Sequence, residues 1–105
     1  MMRQFDVLHN PNPETASWAP YLLVLQSDLL SGLRTTVVAP LVRPADFGRP
    51  AQVLNPVFEV RGEPLILSTA ELAGVSAPIL GDTVASLAGR RNEIIAAIDL
   101  LFTGI

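Results

Sequence analysis

The sequence contains no cysteine, no lysine and a single histidine, His9. Without thiols it has no disulfide, no thiolate metal site and no thiol nucleophile. Charge is scarce too: charged residues make up 16% of the chain and aromatics 6%, against 50% hydrophobic. So thin a polar coat on 105 residues points to apolar surface buried against a second copy of the chain. A net charge of −3 and the lack of a dense basic patch exclude a direct grip on nucleic acid by counterion release. All seven cationic side chains are arginine, a compositional bias from which no function follows. Long apolar runs are missing, each being cut by a charge or a proline, so no membrane-spanning helix is predicted. The start, Met1-Met2-Arg3-Gln4-Phe5-Asp6, lacks the apolar stretch of a secretory signal, and a cytoplasmic protein is expected. The length allows one domain, residues 1–105, with a modest core that gains from oligomerisation.

What is present reads as strands first and a helix last. Phe5-Asp6-Val7-Leu8 is a first strand, stopped by Asn10-Pro11-Asn12-Pro13, which cannot supply a regular hydrogen-bond ladder. Tyr21-Leu22-Leu23-Val24-Leu25-Gln26 and Arg34-Thr35-Thr36-Val37-Val38-Ala39 are strong strand candidates. The segment between them has hairpin length and turn residues near Gly32, which makes the two antiparallel neighbours. The stretch from Pro40 to Pro56, with Pro44, Pro50 and Gly48 inside it, is expected to be irregular or to carry short edge strands around residues 51–54. Val57-Phe58-Glu59-Val60 and Leu65-Ile66-Leu67 flank Arg61-Gly62-Glu63-Pro64 as a hairpin. Residues 69–75 read as a helical turn or a loop, and Ala77-Pro78-Ile79-Leu80 as a short strand.

From Asp82 the period turns helical. Val84, Leu87, Ile94, Ile98, Leu101 and Ile105 follow a 3-and-4 spacing, and Ile95 and Phe102 widen the stripe. Gly104 stands where a helix C-terminus takes a left-handed residue. Strands followed by a helix predict an α+β fold. A terminus this apolar must be buried in its own fold, held in a partner, or presented to a target.

Catalytic patterns are absent. His9 adjoins a proline-rich loop with no second ligand at metal spacing, so it reads as a solvated loop histidine and no metal is expected. Ser27-Asp28 has no base beyond the remote His9, which leaves a hydrolase triad unsupported. The glycines are scattered and form no phosphate-cradling loop, and no cofactor is expected. Glu59, Glu63 and Glu71 read as surface carboxylates, and Arg34, Arg61 and Arg90 are too dispersed in sequence for an anion site. Trp18 is a lone core or edge plug. Leu29-Leu30 lies beside turn residues, where an extended backbone cannot aim both side chains at one face. One of the pair is therefore exposed or held at an interface.

Four ordered blocks carry a resemblance over nearly the whole length: Val24-Leu25-Gln26-Ser27-Asp28-Leu29-Leu30, Val37-Val38-Ala39-Pro40-Leu41, Gly81-Asp82-Thr83-Val84-Ala85-Ser86-Leu87, and Arg91 through Ile105. In these the chain resembles the CcdB toxins of bacterial type II toxin–antitoxin systems. The resemblance implies a homodimer built on a small SH3-like β-barrel, an antiparallel sheet with a smaller accessory sheet and a C-terminal helix. It further implies binding to the DNA gyrase A subunit, trapping of the gyrase–DNA cleavage complex, and neutralisation by a CcdA-type antitoxin. Carried over by position, the gyrase-contacting residues are Leu29, Leu30, Asp99, Thr103, Gly104, Ile105 and Phe5. Thr103 departs from the family's plasmid toxin, which has Trp there, and the 10–18 loop is longer and richer in proline. Two alternatives stay open: a dimer of this fold that binds antitoxin but no longer poisons gyrase, and an endoribonuclease of the MazF kind, which shares the fold.

Overall fold

The structure, a computed structural model, describes residues 2–104. Its elements in chain order are β1 (Asp6–His9), β2 (Tyr21–Val24), β3 (Thr35–Val42), α1 (Pro44–Phe47), β4 (Val57–Val60), β5 (Glu63–Leu67), β6 (Ala73–Ser76), β7 (Thr83–Ser86) and α2 (Arg91–Thr103), with short 3-10 turns between several of them. The strands form one curled antiparallel sheet in the order β4-β5-β3-β2-β1-β7, and β6 joins it by pairing with β3. With α2 packed last, this is the small barrel-like α+β fold expected from the sequence.

Side chains alternate across the strands, and here both faces are covered. Val7, Leu23, Ala39 and Leu41 point into the main core with Phe58, Leu65 and Ile94. Their neighbours Leu8, Val24 and Val38 form a second cluster on the other face, roofed by Met2, Leu22, Val75 and Leu80. Two-sided burial is what turns strand sequences into near-continuous apolar runs instead of alternating ones. It also accounts for much of the high hydrophobic content.

β3 runs eight residues, beyond the Ala39 end expected from Pro40. The reason is the direction of the missing donor. Leu23 pairs with Ala39 and Leu22 with Pro40 across β2, while the Pro40 carbonyl faces the other edge and accepts from Ser68 N at 3.0 Å. On that edge β6 pairs with residues 35–38 and β5 with Leu41 and Val42. Pro40 sits at the fork, where no neighbour requires its N–H.

Other segments differ from expectation or are made more definite. Residues 83–86 form a strand and not the first turn of the helix; β7 pairs with β1 through Asp6–Ser86, Val7–Ala85 and Leu8–Thr83 across a bulge. The spacing of Val84 and Leu87 fits a helix, but pairing with an open strand edge outweighs a short periodic match. Gly89 then marks a real break, inside the 3-10 turn Ala88–Arg90. Residues 69–75 divide into a 3-10 turn, Thr69–Glu71, and the start of β6. Ala77–Ile79 is a 3-10 turn and not a strand, with Pro78 in its first positions, whereas residues 51–54 are irregular, the first of the two expected forms.

In α2, Ile94 and Ala97 are fully buried, and Ile95 and Ile98 pack against the main core. The helix lacks a side-chain N-cap. Its start is fastened differently: the guanidinium of Arg90 lies 4.9 Å from the Phe58 ring centre and that of Arg91 5.6 Å from that of Phe5, contacts worth about 0.5–1 kcal/mol each at exposed sites. Its end is a left-handed Gly104 (φ 74°) whose N–H bonds to Leu100 O at 3.0 Å, the C-cap that the sequence pattern predicts.

The β4–β5 hairpin turns on Arg61 (φ 52°) and Gly62 (φ 80°), a two-residue loop with both residues left-handed. Arginine pays a steric cost there that asparagine largely avoids. Arg61→Asn is expected to stabilise the fold by about 0.5–1 kcal/mol, read as a higher midpoint in chemical denaturation.

Candidate functional site

The β2–β3 connection carries the first exposed apolar group. Ser27 Oγ accepts from Leu29 N at 3.2 Å and begins the 3-10 turn Asp28–Leu30. Bonds from Leu30 N to Ser27 O (3.0 Å) and from Leu33 N to Leu30 O (3.1 Å) continue the winding. The outcome is that Leu29 is 94% exposed, with Leu30 at 49% and Leu33 at 53%. The turn releases both members of the Leu29-Leu30 pair, where an extended backbone would have hidden one. Leu33 was not anticipated; only its place beside Gly32 hinted at a loop-tip position.

The second group is the end of α2. Asp99, Phe102, Thr103 and Gly104 are exposed, Phe102 to 67%, although the sequence stripe placed Phe102 with the buried residues. Thr103 Oγ1 donates to Asp99 O at 2.7 Å, so the hydroxyl is satisfied within the helix and the methyl group is what Thr103 presents. An ideal Cβ on Gly104 meets no atom within 4 Å. Ile105 lies outside the described residues.

Phe5, carried over as a contact position, packs inward. Its ring is 3% exposed, inside the main core, and does not reach the surface as a contact. The backbone that puts it there is unusual, φ 68° at an aromatic residue, and is held from both sides: Phe5 N donates to Val24 O at 2.7 Å and Phe5 O accepts from Leu87 N at 2.8 Å. Strain of this order persists only when the surroundings over-determine it.

The two exposed groups sit at opposite ends of α2. Asp28 Oδ1 accepts from Gln4 N at 2.8 Å, Asp28 lies 3.6 Å from the Arg3 guanidinium, and Arg91 Nη1 donates to Gln4 Oε1 at 3.5 Å. The leucine turn therefore adjoins the first residue of α2. Thr103 lies twelve residues further on, about 18 Å along the helix axis. What the fold displays is a pair of separate apolar ends, with the Arg3–Asp28 and Arg90–Glu93 ion pairs beside the first and exposed Asp99 near the second. Among the described residues no three His, Cys, Asp or Glu side chains are grouped to hold a metal, and no helix is long and apolar enough to cross a membrane. His9 sits against Tyr21, ring centres 5.6 Å apart. Trp18 is half-buried and lines a groove of about 460 Å³ with Leu22, Val38, Val75 and Leu80.

Among the described residues, the clear pKa perturbations are those of Arg90 and Glu93 at the start of α2. Arg90 donates to both carboxylate oxygens of Glu93, at 2.5 and 2.8 Å, and this holds the Glu93 carboxyl below its ordinary range. The pair is exposed, so its contribution is small. A lowered folded-state pKa adds stability at neutral pH that is lost as pH falls through the folded value. Glu93→Gln is thus expected to flatten the acid limb of a melting-temperature profile slightly. Phe5→Ala, in contrast, should cost about 3–5 kcal/mol in denaturant unfolding, since the ring fills the core; a residue serving only as a surface contact would leave stability unchanged.

The fold recurs in solved structures. An endoribonuclease in complex with its cognate antitoxin, from a mycobacterial species, superposes with a TM-score of 0.74 at 12% identity, covering 96% of this chain and 94% of that one. A toxin of Mtb gives 0.69 at 17% identity, over 91% and 99%. The Mycobacterium tuberculosis toxin MazF-mt6 gives 0.70 at 16%, over 95% and 96%. At these identities the likeness is one of fold. The sequence itself is more specific: residues 4–104 match the CcdB protein family, spanning every element described above, and the chain belongs to that family.

Proposed function

We propose that the protein is the toxin of a type II toxin–antitoxin system, that it binds the DNA gyrase A subunit and traps the gyrase–DNA cleavage complex, and that a CcdA-type antitoxin neutralises it. The observation that carries this reading is the pairing of two exposed ends, Leu29-Leu30 on a hydrogen-bonded turn and Thr103-Gly104 on a capped helix, in a member of the CcdB family. Neither end carries reacting groups, so the mechanism is binding. In a homodimer, the two-fold axis doubles each end and lets a symmetric target engage both copies at once. Half-buried Leu101 and Ile95 supply apolar area for such a dimer. Trapping then requires only that the dimer bind the cleaved state of gyrase more tightly than the resealed one.

Thr103 bears on affinity. A Trp is a common hot-spot anchor, and Thr103 offers only a methyl group with its hydroxyl already bonded. The leucine turn is correspondingly the larger apolar contribution on this chain. The endoribonuclease among the solved structures of this fold supplies the second reading, RNA cleavage.

Gyrase-dependent DNA cleavage with purified protein is the test. Trapped complexes are expected with the natural chain. Leu29→Asp should weaken binding to gyrase A by about 30-fold, the effect of losing a hot spot of about 2 kcal/mol. Gly104→Arg should abolish trapping at a cost of about 1 kcal/mol in stability, because its Cβ meets open space but an arginine at φ 74° strains the left-handed cap. Deletion of Ile105 should also abolish trapping. No trapped complexes at high toxin concentration, with antitoxin binding retained, would favour the dimer that no longer poisons gyrase; specific cleavage of total RNA would favour the ribonuclease.

A further inference from the structure

The ladder between β2 and β3 ends abnormally. Leu25 N donates to Val37 O at 2.9 Å, and in an antiparallel pair the reciprocal bond, Val37 N to Leu25 O, would complete the rung. It is not made. Leu25 O accepts instead from Gln4 Nε2 at 3.0 Å, and Val37 N donates to Gln26 Oε1 at 3.0 Å. The Gln26 amide nitrogen then donates to Leu30 O at 3.0 Å and to Thr35 O at 3.2 Å. One carboxamide so makes three of the four bonds open to it. Its orientation is dictated by its partners, an N–H on one side and two carbonyls on the other. Leu30 O is shared between Gln26 and Leu33 N, which joins the two leucines through a single acceptor.

We propose that Gln26 is the positioning residue of the target-binding turn: its side chain replaces the last rung of the ladder and locks Leu29, Leu30 and Leu33 in their outward arrangement before any target arrives. The proposal rests on the gyrase reading above. Three exposed leucines on a mobile loop would have to be ordered at the moment of binding, and each immobilised side chain takes away part of the interaction energy. Gln26 removes that cost in advance, while touching no target itself. Asp28 assists from the other side, through Gln4 N and Arg3.

The test is Gln26→Leu, near in size and without hydrogen bonds, in the full chain. Amide exchange of Leu30 and Leu33 is expected to quicken about tenfold or more while the paired Leu23 and Ala39 keep their protection. Affinity for purified gyrase A should drop about tenfold, mostly through slower association, because the turn must now order during docking. Leu29→Ala, which removes a contact and leaves the turn ordered, should instead act mostly on dissociation. Unchanged exchange in the turn, or quickened exchange with affinity retained, overturns the proposal. If Gln26→Leu strips protection from Leu23 and Ala39 as well, Gln26→Glu replaces it, keeping the acceptor for Val37 N and losing both donors. Loss of protection there too would make Gln26 a residue of the fold alone and overturn the proposal. Leu29→Asp run in parallel separates the two claims: if it leaves gyrase binding intact, the gyrase reading fails, and the exchange data alone decide whether Gln26 holds the turn.

Discussion

β3 is the element on which the rest of the structure depends. One edge of it binds β2 over residues 38–41, and the other is divided between β6 and β5. Proline suits the division point, since it brings no hydrogen-bond donor that would be left over there. The same strand supplies apolar side chains to both clusters, Ala39 and Leu41 to one and Val38 to the other. Its N-terminal portion receives the turn that carries the exposed leucines. A change that shifted the register of β3 by one residue would exchange the two faces and expose both clusters together.

The candidate surface is built by polar groups that hold apolar ones in the open. At the turn, Ser27, Gln26, Asp28 and Gln4 spend their hydrogen bonds on backbone and leave leucine outside. At the helix end, Thr103 and Gly104 bond the carbonyls of Asp99 and Leu100 and leave Phe102 outside. Exposed apolar side chains on rigid backbone differ from exposed apolar side chains on loose backbone in one respect that matters for recognition. The entropy of ordering has been met during folding and is not charged again on binding.

Much of this was legible in the residues. The β2–β3 and β4–β5 pairings, the Gly104 cap and the α+β order all follow from local chemistry: β-branched and apolar stretches, a Gly in each turn, a helical stripe near the end. The misses share a cause. β6 (Ala73–Ser76) and β7 (Thr83–Ser86) are short, of weak strand propensity, and defined by an edge that only the folded sheet offers, so tertiary pairing decided them. Pro40 misled because a proline removes a donor, and sequence cannot say which way that donor would have faced. Phe5, assigned to the surface through the family resemblance, went into the core because a left-handed backbone turned it inward, a conformation that sequence gives no reason to expect at phenylalanine. Leu29 and Leu30 were noticed from local geometry alone, while Leu33 and Phe102 were visible only once burial was known.

The pairing of β1 with β7 has a consequence for how the molecule comes into being. Asp6, near the start, accepts a hydrogen bond from Thr83, 77 positions later, and α2 follows β7 in the chain. Contacts of such separation slow folding, because the intervening chain must be closed before they repay it. During synthesis the first strand therefore waits, one edge open, until most of the chain has left the ribosome. The helix end that completes the second exposed group arrives later still. A copy made only as far as β6 has neither a closed sheet nor that end, so the surface comes into existence only after β7 and α2 have been made.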